Sequence, residues 1–288
     1  MGAIFGPAGN CDDFYAAGLR SSLDAPAWVK KNGLGAYEYQ CGKGVKISDE
    51  AAAKIGAAAK ENGIRLSVHA PYYISLSSTD AEKRDKSILY ILQTLNAAKC
   101  MGAARIVVHS GSCASITRRE ALSLAKDTLW RALRAADEEG FGNICICPET
   151  MGKINQLGTV DEVAELCSID ERLIPTVDFG HVNAMTRGGL KTYEDFERVF
   201  DTIKNRLGEE RACNFHAHYS RIEYTSSGEK KHHRFDETEY EPEFEPIAEI
   251  TAKRGLSPTI ICESRGSQTR DAAELQQIYR RMTDVYKA

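Results

Sequence analysis

The sequence predicts a single-domain α/β fold, a (β/α)8 or TIM barrel, over residues 1–288. Eight short apolar stretches alternate with helical patterns from one end of the chain to the other, and no Pro- or Ser-rich linker interrupts them. The length of 288 residues is close to the about 250 typical of such barrels. A doubly wound open sheet is the alternative, but the chain has neither a GxGxxG nor a GxxxxGKS/T phosphate loop to support it.

The strand candidates, in order, are AIFGP (3–7), GAYEYQ (35–40), IRLSVH (64–69), ARIVVH (104–109), NICICPE (143–149), IPTVDF (174–179), ACNFHAH (212–218) and PTIICE (258–263). Between the third and fourth lies an amphipathic helix, with Ile88, Ile91, Leu92 and Leu95 on its apolar face. Thr79 and Glu82 are read as its capping box and Gly102 as its stop. The next helix repeats this grammar: Thr117 and Glu120 form the box, Leu122, Leu129 and Leu133 share a face, and Gly140 ends it. Further helices are expected near 48–62, 159–169, 191–206, 243–254 and 271–286.

Composition narrows the function classes. With 42% hydrophobic and 27% charged residues the chain reads as a soluble globular protein, and a formal net charge of -4 gives no global attraction to nucleic acid or anionic lipid. Any nucleic-acid contact must therefore be local. Nine cysteines without paired spacing, among them Cys145, Cys147 and Cys262 in strand-like runs, indicate free thiols and a reducing, cytoplasmic setting. No run approaches about 18 apolar residues, so no membrane partner is expected.

The chemistry is concentrated at strand ends. The last polar residues of the later strands are His69, His109, Glu149, Asp178, His218 and Glu263, all of metal-ligating type. In a barrel these ends converge on one mouth, where the active site lies. A lone strand-end histidine is ordinarily a hydrogen-bonded structural residue, but three of them with three acids are a ligand set. Imidazole plus carboxylate suits zinc, with manganese or iron as alternatives. Glu149 follows Pro148, which cannot donate to the ladder, so the strand should stop there with Glu149 at the mouth. His216 and His218 alternate on one face, and His218, nearer the mouth, is the favoured ligand. His181 stands three residues beyond Asp178, within reach of a different ion. His232 and His233 lie in GEKKHHRF, read as a charged loop, and Glu223 and Glu229 are read as surface charges.

Six motifs in order, SVHAPYYISL, IVVHSGS, ICPETMGKINQLGTVDEV, PTVDFGHVNA, FHAHYSRIEYTSSGEKKHH and IICES, make residues 64–265 resemble the endonuclease IV family of apurinic/apyrimidinic endonucleases. The resemblance implies a TIM barrel with a trinuclear zinc centre that cleaves DNA 5′ to an abasic site. It implies that His69, His109 and Glu149 hold one zinc. Glu149, Asp178, His218 and Glu263 would hold a second, and His181 with a histidine of GEKKHH, His232 before His233, a third. Glu149 and Glu263 are the candidate catalytic carboxylates, and in-line attack by a hydroxide generated between adjacent zincs is the implied mechanism. Tyr72 matches a tyrosine that enters DNA at the lesion, where a ring can stack in place of the missing base. Arg118, Arg119, Lys230 and Lys231 are candidate phosphate contacts.

Two departures from the family stand out. An aspartate two residues before the third-zinc histidine is replaced by Lys230 or Lys231, which leaves two or three zinc ions, with Glu229 as the substitute ligand. The loop QCGKGVKIS lacks an aromatic and basic wedge. The rival reading is a single-metal sugar isomerase or epimerase using Glu149, Asp178, His218 and Glu263, with a small sugar as substrate. A non-catalytic binding module would need a basic surface or Cys-rich knuckles, which are missing. A monomer is expected.

Overall fold

The computed structural model describes residues 2–287. Its strands are β1 (Ile4–Pro7), β2 (Ala36–Gln40), β3 (Arg65–His69), β4 (Arg105–His109), β5 (Cys145–Glu149), β6 (Thr176–Asp178), β7 (His216–Tyr219), β8 (Arg221–Thr225), β9 (Gly228–His233) and β10 (Thr259–Cys262). The helices are α1 (Asp12–Ala16), α2 (Ala25–Lys31), α3 (Asp49–Asn62), α4 (Ala81–Met101), α5 (Arg118–Glu138), α6 (Val160–Cys167), α7 (Phe179–Met185), α8 (Tyr193–Leu207), α9 (Glu209–Cys213), α10 (Glu245–Lys253) and α11 (Gln268–Lys287).

Eight parallel strands pair in the order β1-β10-β7-β6-β5-β4-β3-β2. The seam between β1 and β2 closes through Gly9 N–H donating to Glu38 O at 2.9 Å and Gly35 N–H to Phe5 O at 3.0 Å. Closure requires glycine at position 6, because a Cβ there would fall on the Ala36 carbonyl oxygen. The chain is thus a single-domain TIM barrel, as the alternation of elements predicts. Outer helices bury their apolar faces on the strands; in α11, for example, Tyr279 packs its ring 5.6 Å from that of Phe5.

Several local expectations need correction. Asp80, not Thr79, caps α4: its carboxylate accepts from the Glu82 and Lys83 amides, at 3.0 and 3.4 Å. The Thr117–Glu120 box of α5 is present in both directions. The seventh barrel strand starts at His216 rather than residue 212, because Ala212 and Cys213 end α9. Short helices α1, α2, α7 and α9 carry too few turns for periodicity to reveal them. GEKKHH is not a loop but strand β9, antiparallel to β8 in a hairpin beside the barrel mouth.

Candidate metal centre

Parallel register sets the donors at matching heights: His109 lies beside Glu149, and Asp178 beside His218. At the end of β6 the chain turns directly into α7. Asp178 Oδ1 caps that helix, accepting from the His181 amide at 2.7 Å, and the same turn carries the His181 side chain over the mouth. Asp178 Oδ2 is buried and has no hydrogen-bond partner.

The ligand-type side chains gather into three adjoining groups whose donor atoms lie within 4.8 Å of one another: His69, His109 and Glu149; Glu149, Asp178, His218 and Glu263; and His181, Glu229 and His232. Glu149 joins the first two. Its Oε2 lies 3.3 Å from His69 Nε2 and 3.2 Å from His109 Nε2, while its Oε1 lies 3.0 Å from His218 Nδ1. In the third group His181 Nε2 and His232 Nε2 each lie 3.6 Å from a Glu229 oxygen. The contacts of Glu149 with His69 and His218 are hydrogen bonds and those of Glu229 are longer than hydrogen bonds, and donors at either spacing can share an ion at about 2.0–2.2 Å from each.

Each of three imidazoles has its other nitrogen engaged, which fixes which atom faces the centre. His69 Nδ1 is 2.8 Å from Ala70 O, His181 Nδ1 is 2.9 Å from Thr150 O, and His232 Nδ1 is 2.8 Å from Ser220 Oγ. An orphaned carboxylate oxygen, aimed imidazoles and a shared glutamate together fit metal ions.

Electrostatics follow from the same packing. Burial penalises the Glu149 charge, yet the His218 charge and hydrogen bonds from His109, His218 and His69 hold its pKa well below the usual range. Burial opposes protonation of His69 and His181, but the surrounding carboxylates raise both to about 9. Glu263 moves the other way, raised by burial and by neighbouring Glu149 and Asp178.

Glu229 is not a surface charge. Its side chain is 19% exposed, and despite burial the His232 hydrogen bond and the charges of His181 and His232 lower its pKa to about 2. The cause is a bulge: Glu223 pairs with Lys231 and Tyr224 with Glu229, leaving Lys230 as an extra residue. In a regular strand positions i and i+3 face opposite sides; one inserted residue returns Glu229 and His232 to the same side. His233 faces away, its ring stacked 3.6 Å from that of Tyr240. Glu223 does pair outward, with Lys230 at 2.6 Å.

The cavity over the centre measures about 370 Å³ and is also lined by Tyr72, Lys153 and Gln156. An adjoining hollow of about 400 Å³ shares Gln40, His232 and Glu263 and adds Lys231, Arg265 and Gln268. Tyr72 is 56% exposed at this rim. Of the expected phosphate contacts, Arg118 is committed elsewhere, to Glu162 at 2.6 Å and to the Ile154 and Gln156 carbonyls. Lys230 is held by Glu223. Sequence reasoning also missed Glu38, a fully buried acid between Tyr37 and Tyr39 in β2; a charge at that position was the available signal.

A family model described as xylose isomerase-like TIM barrel matches residues 26–284. An uncharacterized protein of Methanocaldococcus jannaschii is 31% identical over 263 residues, 91% of each chain. A probable endonuclease 4 of Mycoplasma genitalium is 30% identical over 154 residues, covering 51% of this chain and 49% of that protein. Among solved structures, a D-tagatose 3-epimerase-like protein superposes with a TM-score of 0.71 at 21% identity, over 93% of this chain and 97% of that one. With its barrel, its convergent donors and a match over most of its length, the chain belongs to the xylose isomerase-like TIM barrel family.

Proposed function

We propose that this protein is a zinc-dependent phosphodiesterase that cleaves DNA 5′ to abasic sites. The observation that carries this reading is the third donor group, His181, Glu229 and His232, joined to the two groups that share Glu149. Phosphodiester cleavage uses several adjacent cations, whereas sugar isomerisation at one metal would leave His69, His109, His181, Glu229 and His232 without a role. Bound zinc ions would lower the pKa of water and offset charge on the phosphate and the departing oxygen.

The chain's own residues divide the remaining work. Glu149 presents one oxygen to each side of the centre and holds the groups in register. Glu263, whose pKa is raised by burial and by Glu149 and Asp178, is the carboxylate suited to accept a proton from attacking water. Tyr72 offers an exposed ring at the rim to stack in the gap left by a missing base. Lys153, Lys231 and Arg265 supply the local positive charge that an acidic chain otherwise lacks.

A duplex containing one abasic site tests the reading. The zinc-loaded protein is expected to incise that strand 5′ to the lesion, to lose activity on exhaustive chelation and regain it with zinc, and to carry two to three zinc ions per chain. The absence of an aromatic side chain from the loop QCGKGVKIS favours a second reading, a single-metal sugar isomerase or epimerase. One metal per chain and no incision over a range of metals would select it.

A further inference from the structure

Glu38 lies below the metal centre and is fully buried. Its Oε1 is 3.0 Å from His218 Nε2 and accepts from Gln40 Nε2 at 3.1 Å. Its Oε2 is 2.9 Å from His216 Nε2 and accepts from Ser67 Oγ at 2.8 Å. Three hydrogen bonds and one ion-pair contact on two oxygens hold the carboxylate and prevent it from turning. His216 Nε2 is hydrogen-bonded to Glu38, whereas the 3.0 Å contact of His218 Nε2 is an ion pair without hydrogen-bond alignment, so the trio reads as a buried support under the centre. His218 then presents Nδ1 upward, 3.0 Å from Glu149 Oε1 and 3.5 Å from Glu263 Oε1.

The other imidazoles are supported differently. His69, His181 and His232 rest on a carbonyl, a carbonyl and a hydroxyl respectively, all neutral. His181 Nδ1 also lies 3.5 and 3.6 Å from Glu149 and Asp178, acids of the donor groups themselves, whereas the far nitrogen of His218 meets, at 3.0 Å, an anion outside the three groups. A carboxylate partner both fixes the ring tautomer and makes the imidazole a stronger donor.

We infer that Glu38 is a positioning residue of the metal centre: it holds His218 with Nε2 protonated and Nδ1 bare, and so makes the Glu149–Asp178–His218–Glu263 group the first to bind metal. This rests on the metal-centre reading above and extends it to an order of filling. His216 belongs to the same device, bracing the opposite oxygen of Glu38 rather than ligating.

Stepwise zinc titration of the metal-free full chain against a chelating dye tests the inference. Wild type should show a tight first step followed by weaker ones. Glu38→Gln should weaken the first step about 10–100-fold and leave the later steps and the melting temperature of the metal-free protein close to wild type. An unchanged first step, or equal weakening of every step, would overturn the proposal, the latter because it marks a merely structural role. Should Glu38→Gln not fold, 15N NMR of the histidine rings in zinc-loaded wild type decides: His218 is expected to be metallated at Nδ1 and protonated at Nε2, and the reverse assignment refutes the proposal. If wild type binds no zinc, the metal-centre reading itself falls, an outcome distinct from binding without a Glu38-dependent first step.

Discussion

At the scale of single residues, His69 and His181 would couple the proposed metal loading to pH. Burial disfavours their charged forms, but the carboxylates around them raise both pKa values from 6.5 to about 9. A raised folded-state value stabilises the metal-free protein fully below pH 6.5, and that contribution disappears as pH rises through about 9. Metal binding requires neutral imidazole, so it releases protons and should tighten over the same window. Scanning calorimetry is expected to show the melting temperature of the metal-free protein falling between pH 6.5 and 9, while that of the zinc-loaded protein does not follow it. A metal-free protein equally stable across this range would contradict the assignment. The residue scale also shows one carboxylate serving two ends: Asp178 Oδ1 caps α7 and leaves Oδ2 facing the centre.

At the scale of elements, the β8–β9 hairpin supplies the third donor group through its bulge. Deleting Lys230 makes β9 regular and brings Glu229 to two positions before the histidine, where alternation alone places both on one face. The deletion variant should therefore keep the zinc count of wild type. Glu229→Gln should lose one zinc per chain and leave the other two groups loaded, and elemental analysis reads both outcomes. A count that survives Glu229→Gln would show that Glu229 is not a donor, and one that falls on deletion would show that facing the same side is not enough to form the third group. The hairpin is anchored for this purpose: Lys153 bridges to Gly228, and Ile154 N–H donates to Ser227 O at 3.1 Å, tying it to the loop after β5.

At the scale of the molecule, the centre depends on closure of the barrel, since its side chains come from β3, β4, β5, β6, β7, α7, β9 and the residue after β10. Gly6 is where closure is most sensitive to a side chain. Gly6→Ala forces β1 away from Ala36 and should cost about 1–3 kcal/mol, as overpacking does, read from the midpoint of urea unfolding. An unchanged midpoint would mean that the seam yields elsewhere. Zinc affinity should fall in parallel, because Glu38 lies on β2 at that seam and its backbone carbonyl accepts from Gly9.

The sequence by itself determined the alternation of strands and long helices, the strand ends and six of the side chains that cluster at the mouth, because these follow from local periodicity, capping and the last polar residue of a short apolar run. The box at Thr117 was legible; that at α4 was not, since Thr79 and Asp80 compete as caps and the geometry of one turn chooses. Only the tertiary structure decided between His232 and His233, moved Glu229 from the surface to the centre, and revealed Glu38 beneath His218. Which way a side chain of β9 faces depends on its register with β8, and what partners a buried acid of β2 depends on strands more than a hundred positions away. Such facts are set by pairing across the fold, where a shift of one residue reverses every side chain, and no local pattern records it.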